Sequence, residues 1–509
     1  DRGMHPSDSA NDLVLPASEP DSDATRTLAA NPWPLWQRIG FRYAMLHSLF
    51  YMLPLPFLQL INMVRSYLHQ LDGWWREPTV EGGVAGNQTW MGEFATWIGE
   101  EIVGGTGDQR AGLSYITKWW REAVDWTHEH LTTGLPVHYQ MSGSGDTGFA
   151  FTKLLVLVCL AAGFTAIWSL LDRSRSYPRL GRWVHLIVRF YVGYYMLVYG
   201  GIKMYAGQFM EPSIAGMSRE IGDKSPMGMV WTFMGSSKPY EVFAGIGELV
   251  GGFLLFHRRT ALLGCCVTIA VMTNVCALNW LYDVPVKLFS THLLMFAMAL
   301  LLPWWPSLWS LFVRNRSSEP IDMSVTQWGW LRCTLMVIGC LWIAGMAFEM
   351  HQNNSARLDD VNQRYAKPAL YGRWDVEKMI HDGVELPISD ATRWQFLAID
   401  RGTRAWSRAA MGQVFSWICT EDLANNQVMM KVVNGKEESW TVAQGTKSIE
   451  APNPNPVTIE DFRKPVNVER RTLVLRGVWQ GKPLELHTIE HVFNLHRGFH
   501  WVQEMPFNR

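Results

Sequence analysis

The chain has 509 residues, 48% of them hydrophobic and 18% charged, and a formal net charge of −1. That balance points to no acidic or basic partner, and the lack of a basic face or a base-reading motif excludes a nucleic-acid binder. Its seven cysteines, at 159, 265, 266, 276, 333, 340 and 419, form no CxxC, which excludes a thioredoxin-like redox pair and a zinc ribbon.

Residues 1–32 are polar, lack an apolar signal core and read as a flexible tail. The chain opens on Asp1 rather than Met, which reads as a processed or partial product. A membrane helix needs about 20 mainly apolar residues. Seven stretches qualify as candidates: 41–63, 150–171, 184–206, 240–256, 260–281, 287–304 and 329–349. Pro54 and Pro56 weaken the first. Six of the seven cysteines fall inside these spans, so the soluble parts cannot be disulfide-stapled within one chain.

Arginine placement orients the spans. Arg38 and Arg42 precede the first, and Arg173, Arg175, Arg179 and Arg182 fill the loop after the second. Arg258 and Arg259 follow the fourth span, and Arg314 and Arg316 follow the sixth. With seven spans all these loops share one side, which the positive-inside rule makes cytoplasmic. The tail is then inside, and two large pieces face outward.

The first outward piece, 64–149, is rich in Trp and carries helical spacing over 92–101 and 115–130, read as amphipathic helices on the membrane surface. The span and basic loop at 150–183 and a core at 184–304 follow. A Trp-rich interfacial segment at 304–312 leads to the seventh span, which completes the 305–349 region.

The second outward piece, 350–509, alternates polar and apolar residues over 394–399, 428–433, 439–442, 472–478, 484–487 and 491–495. Asn434-Gly435 and Gln480-Gly481 mark tight turns. The fold class is thus a mainly α membrane protein with a C-terminal antiparallel β barrel or sandwich.

Polar residues inside the spans are the functional candidates, because a charge near the bilayer centre costs roughly 2.5–3.5 kcal/mol on insertion scales. Glu248 sits mid-span among Gly245, Gly247, Gly251 and Gly252, where it is neutral, paired or facing a cavity. Lys203 is its candidate partner or snorkels outward. Asn274, Asn279, Asp283, Lys287 and His292 surround the link between the fifth and sixth spans. Asp283 and Lys287 pair at i, i+4 if helical, and His292 can hydrogen-bond a polar quinone oxygen and exchange protons. Arg189 lies a turn or so inside its span and is a candidate ligand for a lipid phosphate. Each of these residues has a structural alternative as interhelical glue. His487, His491, His496 and His500 do not have the spacing of a closed zinc site, so no metal is assigned. Phosphate loops, nucleotide fingerprints, haem attachment and iron–sulfur spacings are absent, so a redox role needs a partner subunit or a bound quinone.

Several short motifs carry a resemblance. Arg189-Phe190 and Gly193, Tyr199-Gly200 and Lys203, Gly247-Glu248-Leu249 with Gly251-Gly252, and Arg258-Arg259-Thr260 resemble the DoxX family of small four-helix membrane proteins. The resemblance covers about a quarter of the chain and implies a four-helix transmembrane core. Some members of that family are linked to thiosulfate or other sulfur oxidation coupled to quinone. Tyr371-Gly372-Arg373-Trp374 resembles the Gly-x-Trp opening of a lipocalin-type barrel, with 497–501 as the basic and aromatic closing partners. The whole arrangement resembles larger DoxX-like bacterial proteins, which implies an inner membrane and a periplasmic C-terminal domain. The expected function is an accessory subunit of a membrane assembly, respiratory or sulfur-redox, in contact with membrane lipids and other membrane-protein subunits. It would hold a quinone or lipid through these core residues. The alternatives are a quinone-dependent oxidoreductase acting on a reduced sulfur or thiol substrate, and a purely structural scaffold.

Overall fold

The computed structural model describes residues 32–52, 114–134, 144–205, 207–317, 321, 323, 325–326, 328–432, 437–452 and 465–493. Outside them lie nearly all of the expected tail, the second half of the first span, the amphipathic segment 92–101, the Asn434-Gly435 turn and the terminal stretch 497–501. The chain divides into two compact units, Asp1–Tyr191 with Pro320–Val325, and Val192–Glu319 with Thr326–Arg509.

The first unit contains α1 (Leu35–Met52), α2 (Ser114–Leu131), α3 (Gly148–Leu171) and the start of α4 (Pro178–Met204). Helix α2 falls where the spacing of 115–130 predicts it. Thr147 opens α3 by accepting the Ala150 amide at 3.2 Å, a normal N-cap bond. Beyond α3 the arginine-rich loop folds on Asp172, which accepts from Trp168 Nε1 at 2.9 Å, the Ser174 amide at 2.8 Å and the Tyr177 hydroxyl at 2.7 Å. Hydrogen bonds from Ser174, Trp168 and Tyr177 hold the Asp172 carboxyl far below the usual carboxylate range. Buried Arg42 donates Nε to the same tyrosine oxygen at 2.8 Å, so this arginine is a structural tie between α1 and the loop.

The second unit holds the rest of α4 together with α5 (Ile214–Met217), α6 (Pro226–Gly235), α7 (Lys238–Phe256), α8 (Ala261–Leu281), α9 (Lys287–Leu301), α10 (Trp305–Phe312) and α11 (Gly329–Arg364). Among the described residues five helical stretches are long and apolar enough to cross a membrane: α3, α7, α8, α9 running into α10, and most of α11. Of the other two expected spans, the first runs past Met52 into residues that are not described. The third is α4, a 27-residue helix whose Arg179, Arg182, Arg189 and Lys203 lower its hydropathy.

Helix α11 continues to Arg364, past the expected domain start at 350, because the polar stretch 350–364 holds no Pro or Gly and nothing stops the helix before Pro368. The first strand therefore opens at Gly372.

The C-terminal part is an eight-stranded antiparallel barrel. Its strands are β1 (Gly372–His381), β3 (Trp394–Ile399), β4 (Arg404–Ala409), β5 (Val414–Asp422), β6 (Gln427–Val432), β7 (Glu437–Pro452), β8 (Pro465–Trp479) and β9 (Lys482–His491), each paired with the next and closed by β1 against β9. The two-residue β2 (Val384–Glu385) extends β1 through Asp382-Gly383, which have φ of 54° and 77°. Gln480 and Gly481, at 54° and 75°, make the equivalent turn between β8 and β9, where the sequence predicts one.

Five tryptophans, at 374, 394, 417, 440 and 479, fill the interior, each 5% exposed or less. Trp394 is their hub, stacked on Trp440 at 6.5 Å and edge-on to Trp479 at 5.3 Å. Trp374 donates its Nε1 proton to the Leu370 carbonyl at 2.9 Å, and the Arg471 guanidinium lies over its ring at 5.1 Å. A basic partner of Trp374 is thus supplied by β8.

Candidate functional site

Helices α4 and α7 pack backbone to backbone. A methyl group added at Gly245 would sit 2.8 Å from the Gly200 carbonyl oxygen, and one at Gly252 would sit 3.0 Å from that of Gly193. Only glycine permits that approach. It brings Lys203 and Glu248 together: Lys203 Nζ donates to Oε1 at 2.7 Å and to Oε2 at 2.8 Å. Both residues are buried, at 6% and 3% exposure. Each head group is turned to the other and away from the surface of the unit. The pair satisfies charge on charge within an apolar bundle.

Aromatic rings border the pair. Lys203 Nζ lies 5.9 Å from the Tyr199 ring centre, and Phe289 of α9 packs against Tyr199 at 5.9 Å and Tyr195 at 4.8 Å. The arrangement can hold a proton between two groups, or exchange its internal bond for bonds to a polar headgroup lying against the rings.

The other candidates fall elsewhere. Asp283 and Lys287 are paired at 2.7 Å, across the loop between α8 and α9 rather than along a helix, because Asp283 adopts a left-handed φ of 53°. The Asp283 side chain is 81% exposed. His292 is buried on α9 with Nδ1 at 2.7 Å from the Leu288 carbonyl. A carbonyl only accepts, so Nδ1 carries the proton. Asn279 is buried and Asn274 is exposed on α8. Arg189 is buried on α4, about three turns beyond the helix start at Pro178, a residue suited to the first turn.

Sequence reasoning missed Glu241. It is fully buried and accepts the amides of Gln208 and Phe209 at 3.0 and 2.9 Å, with Lys238 Nζ at 3.3 Å. Its place in the first turn of α7 resembles an ordinary acidic helix start, which hid it. The available signal was its spacing from Glu248, seven residues or two turns, which puts both on one face.

In the barrel, His487 Nε2 lies 2.9 Å from Glu485, and His491 Nδ1 lies 2.9 Å from Asp375. His496 and His500 lie outside the described residues.

Fold and site together define a class: a protein of membrane-length apolar helices with a buried Lys–Glu ion pair in the helical core, joined to a closed β barrel. No family model matches the chain, and no solved structure matches it. A stretch of 136 residues, 26% of the chain, is 34% identical to the uncharacterized protein YwoB of Bacillus subtilis (strain 168) and covers 82% of that protein. The chain belongs to the family of that protein.

Proposed function

We propose that the protein is a DoxX-like accessory subunit of a bacterial inner-membrane assembly, with its N-terminus cytoplasmic and its barrel periplasmic. In this reading its helical core holds a quinone or a lipid headgroup at Lys203 and Glu248. The supporting observation is the Lys203–Glu248 pair, closed at 2.7 and 2.8 Å and almost wholly buried. Buried ion pairs contribute little net stability compared with apolar residues of similar volume, so stability alone does not account for one. A quinone carbonyl accepts from the Lys203 ammonium while its ring lies on Tyr199 and Phe289. A lipid phosphate takes the same ammonium. Asn279, His292, Asp283 and Lys287 belong to neighbouring elements of this reading, and Arg189, midway along α4, is its candidate ligand for a lipid phosphate. Asn274, exposed on α8, takes part only through a partner subunit.

Organic extraction of the purified protein tests this reading. Wild type is expected to release a quinone or a defined phospholipid in stoichiometric amount, and Glu248→Gln and Lys203→Met are expected to reduce it. If both variants retain the wild-type amount, the core site is refuted. A redox enzyme is the second outcome: thiosulfate- or thiol-dependent quinone reduction by membranes would then fall in the same variants. A third reading, a scaffold, is favoured by the ties between Glu211 and both Lys367 and Arg401, which fix the barrel to the helices. It predicts no extractable ligand and co-migration with partner subunits on native gels.

A further inference from the structure

Residues 208–217 follow α4 in the chain and are held by α7 at one end and by the barrel at the other. At their start, Glu241 on α7 accepts the Gln208 and Phe209 amides at 3.0 and 2.9 Å, and Lys238 Nζ donates to the Phe209 carbonyl at 2.6 Å. In the middle, Glu211 pairs with Lys367, at 3.1 Å, and with Arg401 in the turn between β3 and β4. At the end, Ser213 caps α5 by accepting the Gly216 amide at 3.0 Å, and the Ala215 amide donates to Asp400 at 3.3 Å. Ile214, 1% exposed, packs on Phe396 and Ala398, which lie on the outer face of β3.

The same segment begins a few residues beyond Lys203. Its anchor Glu241 stands two turns from Glu248 on the buried face of α7. Between those turns, the backbones of α4 and α7 touch at Gly200 and Gly245. The ion pair, the glycine contact and the Glu241 anchor therefore form one packed body. Packed interiors do not deform continuously, so a shift of α7 against α4 at Glu248 moves Glu241 and displaces the segment it holds.

We propose that residues 208–217 are a coupling strap, which makes the seating of the barrel and the closure of the Lys203–Glu248 pair one linked equilibrium. The linkage holds whether or not the pair binds a ligand, so its failure and the failure of the ligand reading are separate results.

Hydrogen–deuterium exchange of the full chain in phospholipid nanodiscs reads it, in peptides covering 208–217 and 394–409. Glu248→Gln keeps the side-chain shape and removes the charge. It is expected to raise exchange in both peptides about tenfold, within the usual range for coupled sites. Lys203→Met combined with Glu248→Leu restores an uncharged contact and is expected to return exchange to the wild-type level. Coupling is reciprocal. Arg401→Gln, at the barrel seat, is therefore expected to raise labelling of Lys203 by a membrane-permeant acetylating reagent by a similar factor. Asp283→Asn, which breaks the exposed pair with Lys287, is expected to change neither peptide. Unchanged strap exchange in Glu248→Gln, labelling of Lys203 unaltered by Arg401→Gln, or an equal rise with Asp283→Asn overturns the coupling. If Glu248→Gln unfolds the bundle, seen as an equal rise across 148–171, the double variant and Arg401→Gln decide.

Discussion

The helices and the barrel of the larger unit bury their largest polar liabilities by different means. In the helices a lysine amine and a glutamate carboxyl are buried together, in contact at 2.7 Å, and glycines at 193, 200, 245 and 252 let the two backbones close around them. In the barrel the interior is nearly free of charge. Its bulk comes from five tryptophans, and polar atoms there are few: Ser407, fully buried, accepts the Trp417 indole proton at 3.0 Å. A bundle can be filled by bringing backbones closer together. A closed barrel has a diameter set by its strand number and shear, so large side chains must fill it. Small residues and ion pairs therefore specify one core, and large aromatic volumes specify the other.

Truncating the barrel's hub is the hardest blow to this contrast. Trp394→Ala removes a fully buried indole that touches three other tryptophan rings. It is expected to destabilise the barrel by about 3–5 kcal/mol. Denaturant unfolding followed by near-ultraviolet circular dichroism reads the barrel, and far-ultraviolet helicity reads the bundle. A loss of helicity that shifts to lower denaturant in the variant, together with the barrel signal, would show one cooperative core in place of two.

The bundle is tested by removing one charge and then both. Lys203→Met leaves the Glu248 carboxylate buried without its partner and is expected to cost about 3 kcal/mol, at the low end because that carboxyl can take up a proton. Adding Glu248→Leu is expected to recover most of that loss or exceed it. Thermal unfolding in detergent measures both. A double variant as unstable as the single one would mean that the pair does more than cancel its own charges.

Much of this contrast is legible in the sequence, and the parts that are not have separate physical causes. Hydropathy found the apolar helices, and alternation placed β3 at Trp394–Ile399 and the turn at Gln480-Gly481. The Glu248 and Lys203 charges stood out because each is costly alone. Strand β4 escaped because its inward residues are Ala405, Ser407 and Ala409, small or polar groups that do not alternate visibly with Arg404 and Arg408. The extension of α11 escaped because hydropathy reports membrane crossing and not helix length. Asp283 and Lys287 were paired correctly by spacing, but on a loop, since chain direction at a left-handed residue is not written in the spacing. Glu241 offered only its two-turn spacing from Glu248, and Glu211 offered nothing local: its partners Lys367 and Arg401 lie far along the chain.

A smaller effect sharpens the comparison from the barrel side. Asp375 accepts from Arg373 Nε at 2.7 Å and stands 2.9 Å from His491. Burial alone would raise its carboxyl, but hydrogen bonds from His491 and Arg373 outweigh it, and the group sits below the usual carboxylate range. A depressed carboxyl stabilises the fold fully above its unfolded value of about 3.9, and that contribution is lost as pH falls through the lower folded value. Asp375→Asn is therefore expected to flatten the acid limb of barrel stability below about pH 4. An acid limb with the wild-type slope would place the acid sensitivity in another carboxylate.

The smallest expected signal is a lack of reaction, and it separates the two cores by chemistry. Cys419 lies 4% exposed on β5, inside the tryptophan-filled barrel. Burial, helped by the nearby Glu421 carboxylate, pushes its thiol up to about 12. The nucleophile is the thiolate, so at pH 8 Cys419 offers almost none and little access to it. Cys333 and Cys340 are exposed on α11, where a membrane-permeant maleimide can reach them. Peptide mapping after labelling in nanodiscs is expected to find the reagent on Cys333 and Cys340 and none on Cys419. Cys419 should become reactive only at denaturant concentrations that unfold the barrel. Trp394→Ala should bring that reactivity to lower denaturant while leaving the α11 labelling unchanged. Labelling of Cys419 in the native protein would mean that the barrel interior opens on the labelling timescale, and that its aromatic filling does not exclude small molecules as the bundle's closed glycine contacts do.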